Sequence, residues 1–458
     1  MHKKAFLLLQ IAFVAVICWR CGSGESKTGD QNGKTVITIL AENSASIQAM
    51  AALKQQYEAE HPDITLEFKP NTFDDAFTKS NQDLANKTGL YDIIMQYNFS
   101  LSSFVRNNYV YTIDELAKYV PADSLTFEKD LYINNWKEVG YYYKDDKDTS
   151  KGVVKVAYPF SAHSMLLMYN KKMFEDPANK AAYRKQFNRD LEPPADWNEL
   201  RDIAQFFTSD SKGTKGICVG GAAGGFLYYD FMNFVYGMNG EVLDKKIGWE
   251  GDKNTKVVFD SPASVAAMKL YTSLKPYNAG NFTSIDQYEP IRLMKEDKTA
   301  MAIVWSDLIY PAIKTETGFD PRFGFASIPG NKAIFVGGAY FISRYTKHPK
   351  EVFEYITWLM QDRTQVLLAE KGICPSSQKT YEHPAVKSLP YAAALQSSIQ
   401  KGGVILEAGP DANMISEVIT TYVQKAWEGS LSPEEAVRQA QKQIEAKRKE
   451  IFTALNNQ

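Results

Sequence analysis

Basic residues are in no excess in this chain. Lysine and arginine number 52 against 54 aspartates and glutamates, a net charge of -2 over 458 residues. That balance lacks the basic footprint of a nucleic-acid-binding protein, so no nucleic-acid partner is expected. Cysteine is scarce as well. Of four, Cys18 and Cys21 stand near the start, leaving Cys218 and Cys374. These two could form one disulfide outside the cell, or serve as buried small hydrophobes; both readings stay open. The five histidines, His2, His61, His163, His348 and His383, make no ligand cluster, so neither a metal nor a cofactor is expected. No nucleophile elbow or paired acid and base stands out. Asp74-Asp75 and Glu434-Glu435 are adjacent, and on a helix such side chains diverge. The chain is therefore not expected to be an enzyme. Five glycines between Gly216 and Gly225 lack the Lys-Ser/Thr ending of a phosphate loop. Beyond the first twenty residues, no apolar run reaches the roughly 20 residues that span a bilayer.

The start is what the chain does have. Met1 to Lys4 is basic, Ala5 to Ile17 is apolar except for Gln10, and a polar run follows Cys21 as far as Lys34. This is the layout of an export signal. The Cys21-Gly-Ser-Gly stretch resembles the start of a mature bacterial lipoprotein. The resemblance implies a signal peptide at 1–20, lipidation of Cys21 and a flexible tether over 21–34, with the protein outside the cytoplasm, periplasmic or at the cell surface. Trp19 and Arg20 stand where lipoprotein signals place small residues, so a plain secretory signal is the alternative.

Further on, Thr35–Leu40 and Ile64–Phe68 read as short β-branched strands around a helix from Ile47 to Glu60. A β-α-β unit implies parallel strands in an open α/β sheet. Such sheets bind ligands beyond the carboxyl ends of their strands. Strands are also expected at Tyr91–Met95, Val153–Ala157, Met165–Tyr169, Thr299–Val304 and Phe323–Ile328. Helices are expected at Asp74–Leu84, from the Pro193–Leu200 entry to Phe207, and at Phe226–Tyr236, Ser261–Leu274, Pro349–Gln361 and Ser432–Leu455. The charged stretch at 144–148 reads as a hairpin tip.

Several segments in order resemble the family 1 extracellular solute-binding proteins of ABC importers. They are Leu53–Asp63, Tyr91–Met95, Ala157–Phe160, Leu167–Phe174, Pro193–Leu200, Lys298–Trp305 and Gly337–Ser343. The resemblance implies a two-lobed, periplasmic-binding-protein-like α/β fold of the class II type with a multi-crossing hinge. Lobe 1 would comprise 35–160 plus 336–390, and lobe 2 would comprise 161–335 plus 391–458. Crossings would fall near Phe160, Gly337 and 385–410. It also implies a monomer that closes on a small-molecule solute, a sugar in most members, and passes it to ABC permease subunits, held to the membrane by its lipid anchor.

Sugar capture needs flat rings for C–H faces and planar polar groups for hydroxyls. Strand ends offer Glu42, Asn43, Gln96, Tyr97 and Asn98 from the first lobe, and Trp305 and Asp307 from the second. Around the crossings stand His163, Gly338 and Tyr340. Asn239 is a further candidate, although Asn-Gly is first a turn signal. Each has a plain structural alternative, as a helix cap, a turn or a core residue. A polyamine, phosphate ester, peptide or metal chelate would suit the same fold. An exported glycan-active enzyme and a sensory protein are the other classes of function.

Overall fold

The computed structural model describes residues 33–145, 147–209, 211, 213–222, 226–245, 254–330, 332–401, 403–404 and 409–456. The expected signal, Cys21 and most of the tether lie outside the described residues.

Strand β1 (Thr35–Glu42) is buried along nearly its whole length, and its β-branched run suits a strand packed on both faces. It pairs in parallel with β2 (Ile64–Asn71) and β3 (Ile93–Tyr97). The hairpin of β4 (Tyr141–Tyr143) and β5 (Val153–Lys155) carries the charged tip. Next come β6 (Ala157–Pro159), β7 (His163–Asn170), β8 (Lys215–Cys218) and β9 (Thr299–Trp305). The short β10 (Lys314–Thr315) and β11 (Gly318–Phe319) form a hairpin. The chain continues with β12 (Phe323–Ser327), β13 (Ala333–Val336), β14 (Gly338–Ile342) and β15 (Gly403–Val404).

These strands build two main sheets. One runs β2-β1-β3-β14-β6, with β14 antiparallel to β3. The other runs β15-β13-β7-β9-β8, with β12 also on β7. The chain changes sheet between β6 and β7 and again between β13 and β14. Gly337 sits at the second change. A Cβ there would lie 1.9 Å from the Ser161 carbonyl oxygen, so only glycine lets the two crossing segments touch. Ala162 N–H donates to the Cys374 carbonyl at 2.9 Å, and Ser376 Oγ donates to the Pro159 carbonyl at 3.1 Å, which lays a third segment beside them. Leu368 and Ile373 pack in the first core, whereas Cys374, Tyr381, Val386 and Leu389 pack in the second. The third change of core thus comes near Ile373, ahead of the 385–410 region. The apolar residues of 381–399 lie on the second sheet and draw the chain across early.

Most expected elements are present, with shifted ends. The helix expected over 47–60 is two helices, Ala45–Ala52 and Lys54–Glu60, divided at Leu53 where ψ is 0°. The stretch expected as one strand over 153–157 splits between the hairpin and the first sheet. Side-chain caps start several helices. Thr72 accepts from Asp75 N–H, Asp196 from Asn198 and Glu199 N–H, and Ser261 from Ser264 N–H. Two C-terminal helices, Ala412–Glu428 and Pro433–Asn456, pack together on the second lobe. The Arg448–Asp411 pair, 2.6 Å apart and nearly fully buried, ties the second helix to the start of the first. Among the described residues, no helix is long and apolar enough to cross a membrane. Cys218 and Cys374 are both free and buried, so the disulfide is not formed here.

Candidate functional site

Because β1 and β3 are parallel neighbours, their carboxyl ends finish side by side. Glu42 ends the first and Tyr97 the second. The Tyr97 hydroxyl donates to Glu42 Oε2 at 2.8 Å. In the second lobe, β9 ends at Trp305 and passes directly into the helix Ser306–Ile313, which places Asp307 in its first turn. A carboxylate there is favoured by the helix dipole. The antiparallel register sets Met165 against Trp305, so His163 at the start of β7 comes near Asp307. His163 Nδ1 lies 3.6 Å from Asp307 Oδ2. The helix Ala45–Ala52 meets the helix Ser306–Ile313, so the two lobes touch beside these groups.

Burial and charge set the protonation behaviour of the group. Burial raises the Glu42 carboxyl above its usual range, the Tyr97 hydrogen bond opposes this, and the negative charge of Asp307 adds to the rise. The Tyr97 phenol is pushed well up by burial, then by Glu42 and Asp307. The Tyr288 ring, 54% exposed, is close enough for its phenol to be raised by burial and by Glu42 and Asp307. Two carboxylates from different lobes therefore act on the same two phenols beside the contact of the helices Ala45–Ala52 and Ser306–Ile313.

Aromatic rings border the group. Tyr97 lies 6.1 Å from Phe99 in a stacked arrangement and 6.0 Å from Phe160 edge-on. Phe73, also well exposed, is 5.8 Å from Tyr97. Trp305 meets Tyr229 edge-on at 5.5 Å, and burial raises the Tyr229 phenol to about 12. A groove of about 1140 Å³ runs from Phe77 and Phe99 past Tyr142 and Lys144 to Pro410 and Asn413 of the other lobe. Phe99 joins that groove to Tyr97.

The structure thus brings Glu42, Tyr97, His163 and Asp307 together, with Trp305 beside them. Asn98 follows Tyr97 and is buried, with its Nδ2 unpartnered. Asn43 is exposed and accepts from Gln48 Nε2 at 2.6 Å, a helix-entry role. Gln96 is buried, and strand alternation sends it to the sheet face opposite Tyr97. Tyr340, expected to face the cleft, is packed in the first core with its hydroxyl on Met50 Sδ at 3.7 Å; its register partner Met95 lies in the same core. Asn239 occupies an exposed turn with φ 62°, which its short polar side chain tolerates. Gly338 is pressed on Phe160, where a Cβ would come within 2.2 Å of the ring. Phe73, Phe99, Tyr229 and Tyr288 are not among the residues singled out from the sequence, and Phe160 is expected there only as a crossing point. Only the exposure of Phe73 and Tyr288 marks them out, and exposure is not written in a one-dimensional pattern.

Two α/β lobes, joined by crossing strands and facing each other across polar and aromatic side chains, define a hinged solute receptor. The chain belongs to the bacterial extracellular solute-binding proteins, whose family model matches residues 40–366. It is 22% identical over 393 residues to an uncharacterized ABC transporter extracellular-binding protein of Pyrococcus horikoshii, covering 80% of each chain. A maltose-bound MalE3 of T. maritima aligns with TM-score 0.72 at 18% identity, over 90% of this chain and 99% of that one. A solute-binding protein of Agrobacterium radiobacter solved with ribitol also aligns with TM-score 0.72, at 19% identity over 90% and 98%.

Proposed function

We propose that this protein captures a carbohydrate between its lobes and delivers it to the permease of an ABC importer. The observation that carries the reading is that Glu42 and Tyr97 of one lobe and Asp307 and His163 of the other flank the contact of the helices Ala45–Ala52 and Ser306–Ile313. A ligand touching both sets favours the closed state, because only contacts made to both lobes can shift that equilibrium. Carboxylates pair with hydroxyls, and the rings of Tyr97, Tyr288 and Trp305 offer faces to C–H surfaces. Relatives of the same fold solved with maltose and ribitol support a polyhydroxylated ligand.

The binding set under this reading is Glu42, Tyr97, Asn98, His163, Trp305 and Asp307, with Tyr288 and Phe73 at the rim. Lobe 1 takes residues 35–160 and 337–373, and lobe 2 the remainder from 161. The protein works outside the cytoplasm as a monomer, carries no catalytic set, and is tethered through a lipidated Cys21. Isothermal titration against mono- and oligosaccharides tests the capture. Heat of binding with one or more sugars is expected; a folded protein giving no heat with any sugar would overturn it. Metabolic labelling with a fatty acid, compared with a Cys21→Ser chain, tests the tether.

A further inference from the structure

The charged groups at the lobe junction are carboxylates, and the buried Asn98 Nδ2 is the unpartnered donor beside them. Glu42 and Asp307 each bring a carboxylate, and the Tyr97 O–H is already given to Glu42. His163 presents Nδ1 to Asp307 at 3.6 Å. In the neutral tautomer that carries its proton on Nδ1, Nε2 is an acceptor. His163 is 4% exposed, and its Nε2 is buried without a hydrogen-bond partner. The charges acting most strongly on Glu42, Tyr97 and Tyr288 are carboxylates and phenols, with no lysine or arginine among them. A neutral sugar hydroxyl can donate one hydrogen bond to such a set but leaves two like charges at the junction. An ammonium group donates three and cancels one charge.

We propose that the solute carries a protonated amine as well as hydroxyls, an amino-sugar class of ligand, and that the amine is held between Glu42 and Asp307 with His163 Nε2 as a further acceptor. This rests on the capture of a carbohydrate proposed above. The rings of Tyr97 and Tyr288 beside the carboxylates suit a cation over their faces as well as a sugar's C–H surface.

The test is competitive titration of the wild-type protein with three disaccharides of one linkage, β-1,4 glucosamine dimer, its N-acetylated form and cellobiose, at a pH where the amine is protonated. The amine form is expected to bind at least about tenfold tighter than either neutral form. In Glu42→Gln and Asp307→Asn, each checked by melting, that ratio is expected to fall to within about threefold. Equal or tighter binding of a neutral form overturns the amine assignment and leaves carbohydrate capture standing. An unchanged preference in both variants overturns the placement of the amine. Absence of binding by all three, with other sugars also silent, overturns the carbohydrate reading itself.

Discussion

Among the described residues, two carboxylate–tyrosine pairs have nearly equal geometry and different settings. In the core of the second lobe, the Tyr271 hydroxyl lies 2.8 Å from Asp230 Oδ2, and Gly220 N–H donates to the same oxygen at 2.8 Å. At the lobe junction, the Tyr97 hydroxyl lies 2.8 Å from Glu42 Oε2. The first pair is fully buried, with its further donor supplied by its own lobe. The second is part-buried at the lobe junction, where the negative charge of Asp307 from the other lobe adds to the effect of burial. The chemistry of a pair does not decide its role. A pair whose donors come from its own lobe holds that lobe together, whereas one whose missing donors must come from elsewhere is built for something that arrives.

The core pair should dominate stability. Burial pushes the Asp230 carboxyl up to about 7, against about 3.9 in an unfolded chain. The folded state therefore keeps a proton that the unfolded state loses between those values. Stability from this group is full below about pH 4 and is lost as pH rises towards about 7, a difference of about 4 kcal/mol at most. Urea unfolding of ligand-free protein across this window should show the decline, and Asp230→Asn should flatten it. Equal slopes in the two proteins would mean that Asp230 is ionised in its core.

Trp305 joins the two regimes, being packed in the second core yet adjacent to Asp307. Trp305→Ala should cost about 3 kcal/mol of stability and weaken sugar binding at least about tenfold. A loss of stability with unchanged affinity would make it a core residue only. Tyr271→Phe should cost about 2 kcal/mol by removing a buried hydroxyl shared between the Gly220 carbonyl and the Asp230 carboxyl, while affinity stays the same. Altered affinity in that variant would show that the core pair reaches the cleft.

The frame of the fold was readable because its signals are local. Thr35–Leu40 is short and β-branched, Pro62 closes the helix before β2, and Ser261-Pro262 opens a helix. The helix Ala412–Glu428 was not read. Ile415, Val418, Ile419, Thr420, Thr421 and Val423 give it a strand-like composition, and packing on the neighbouring helices overrides that preference. Of the groups that the structure brings to the lobe junction, Glu42, Tyr97 and Asp307 were legible from their place at or just past strand ends. Tyr340 was misplaced because a tyrosine two residues past a glycine pair gives no sign of which sheet face it takes. Tyr288 and Phe73 were missed because nothing local distinguishes a ring left in solvent from one that packs.

Tyr97→Phe is the finest test of the comparison. It keeps the ring that lies against Phe99 and Phe160 and removes only the proton given to Glu42. Glu42 is only part-buried, so water can replace the lost donor, and stability should change by less than about 0.5 kcal/mol. Affinity should still fall by about threefold, because the carboxylate is no longer held in the direction of the ligand. Loss of that hydrogen bond also lets the Glu42 carboxyl rise further, since Tyr97 is what opposes its burial. The affinity deficit should therefore widen as pH is lowered, because the neutral acid neither holds a cation nor accepts as strongly. A stability loss as large as that of Tyr271→Phe, with affinity untouched, would make Glu42 and Tyr97 a second structural pair and remove the distinction between the two regions.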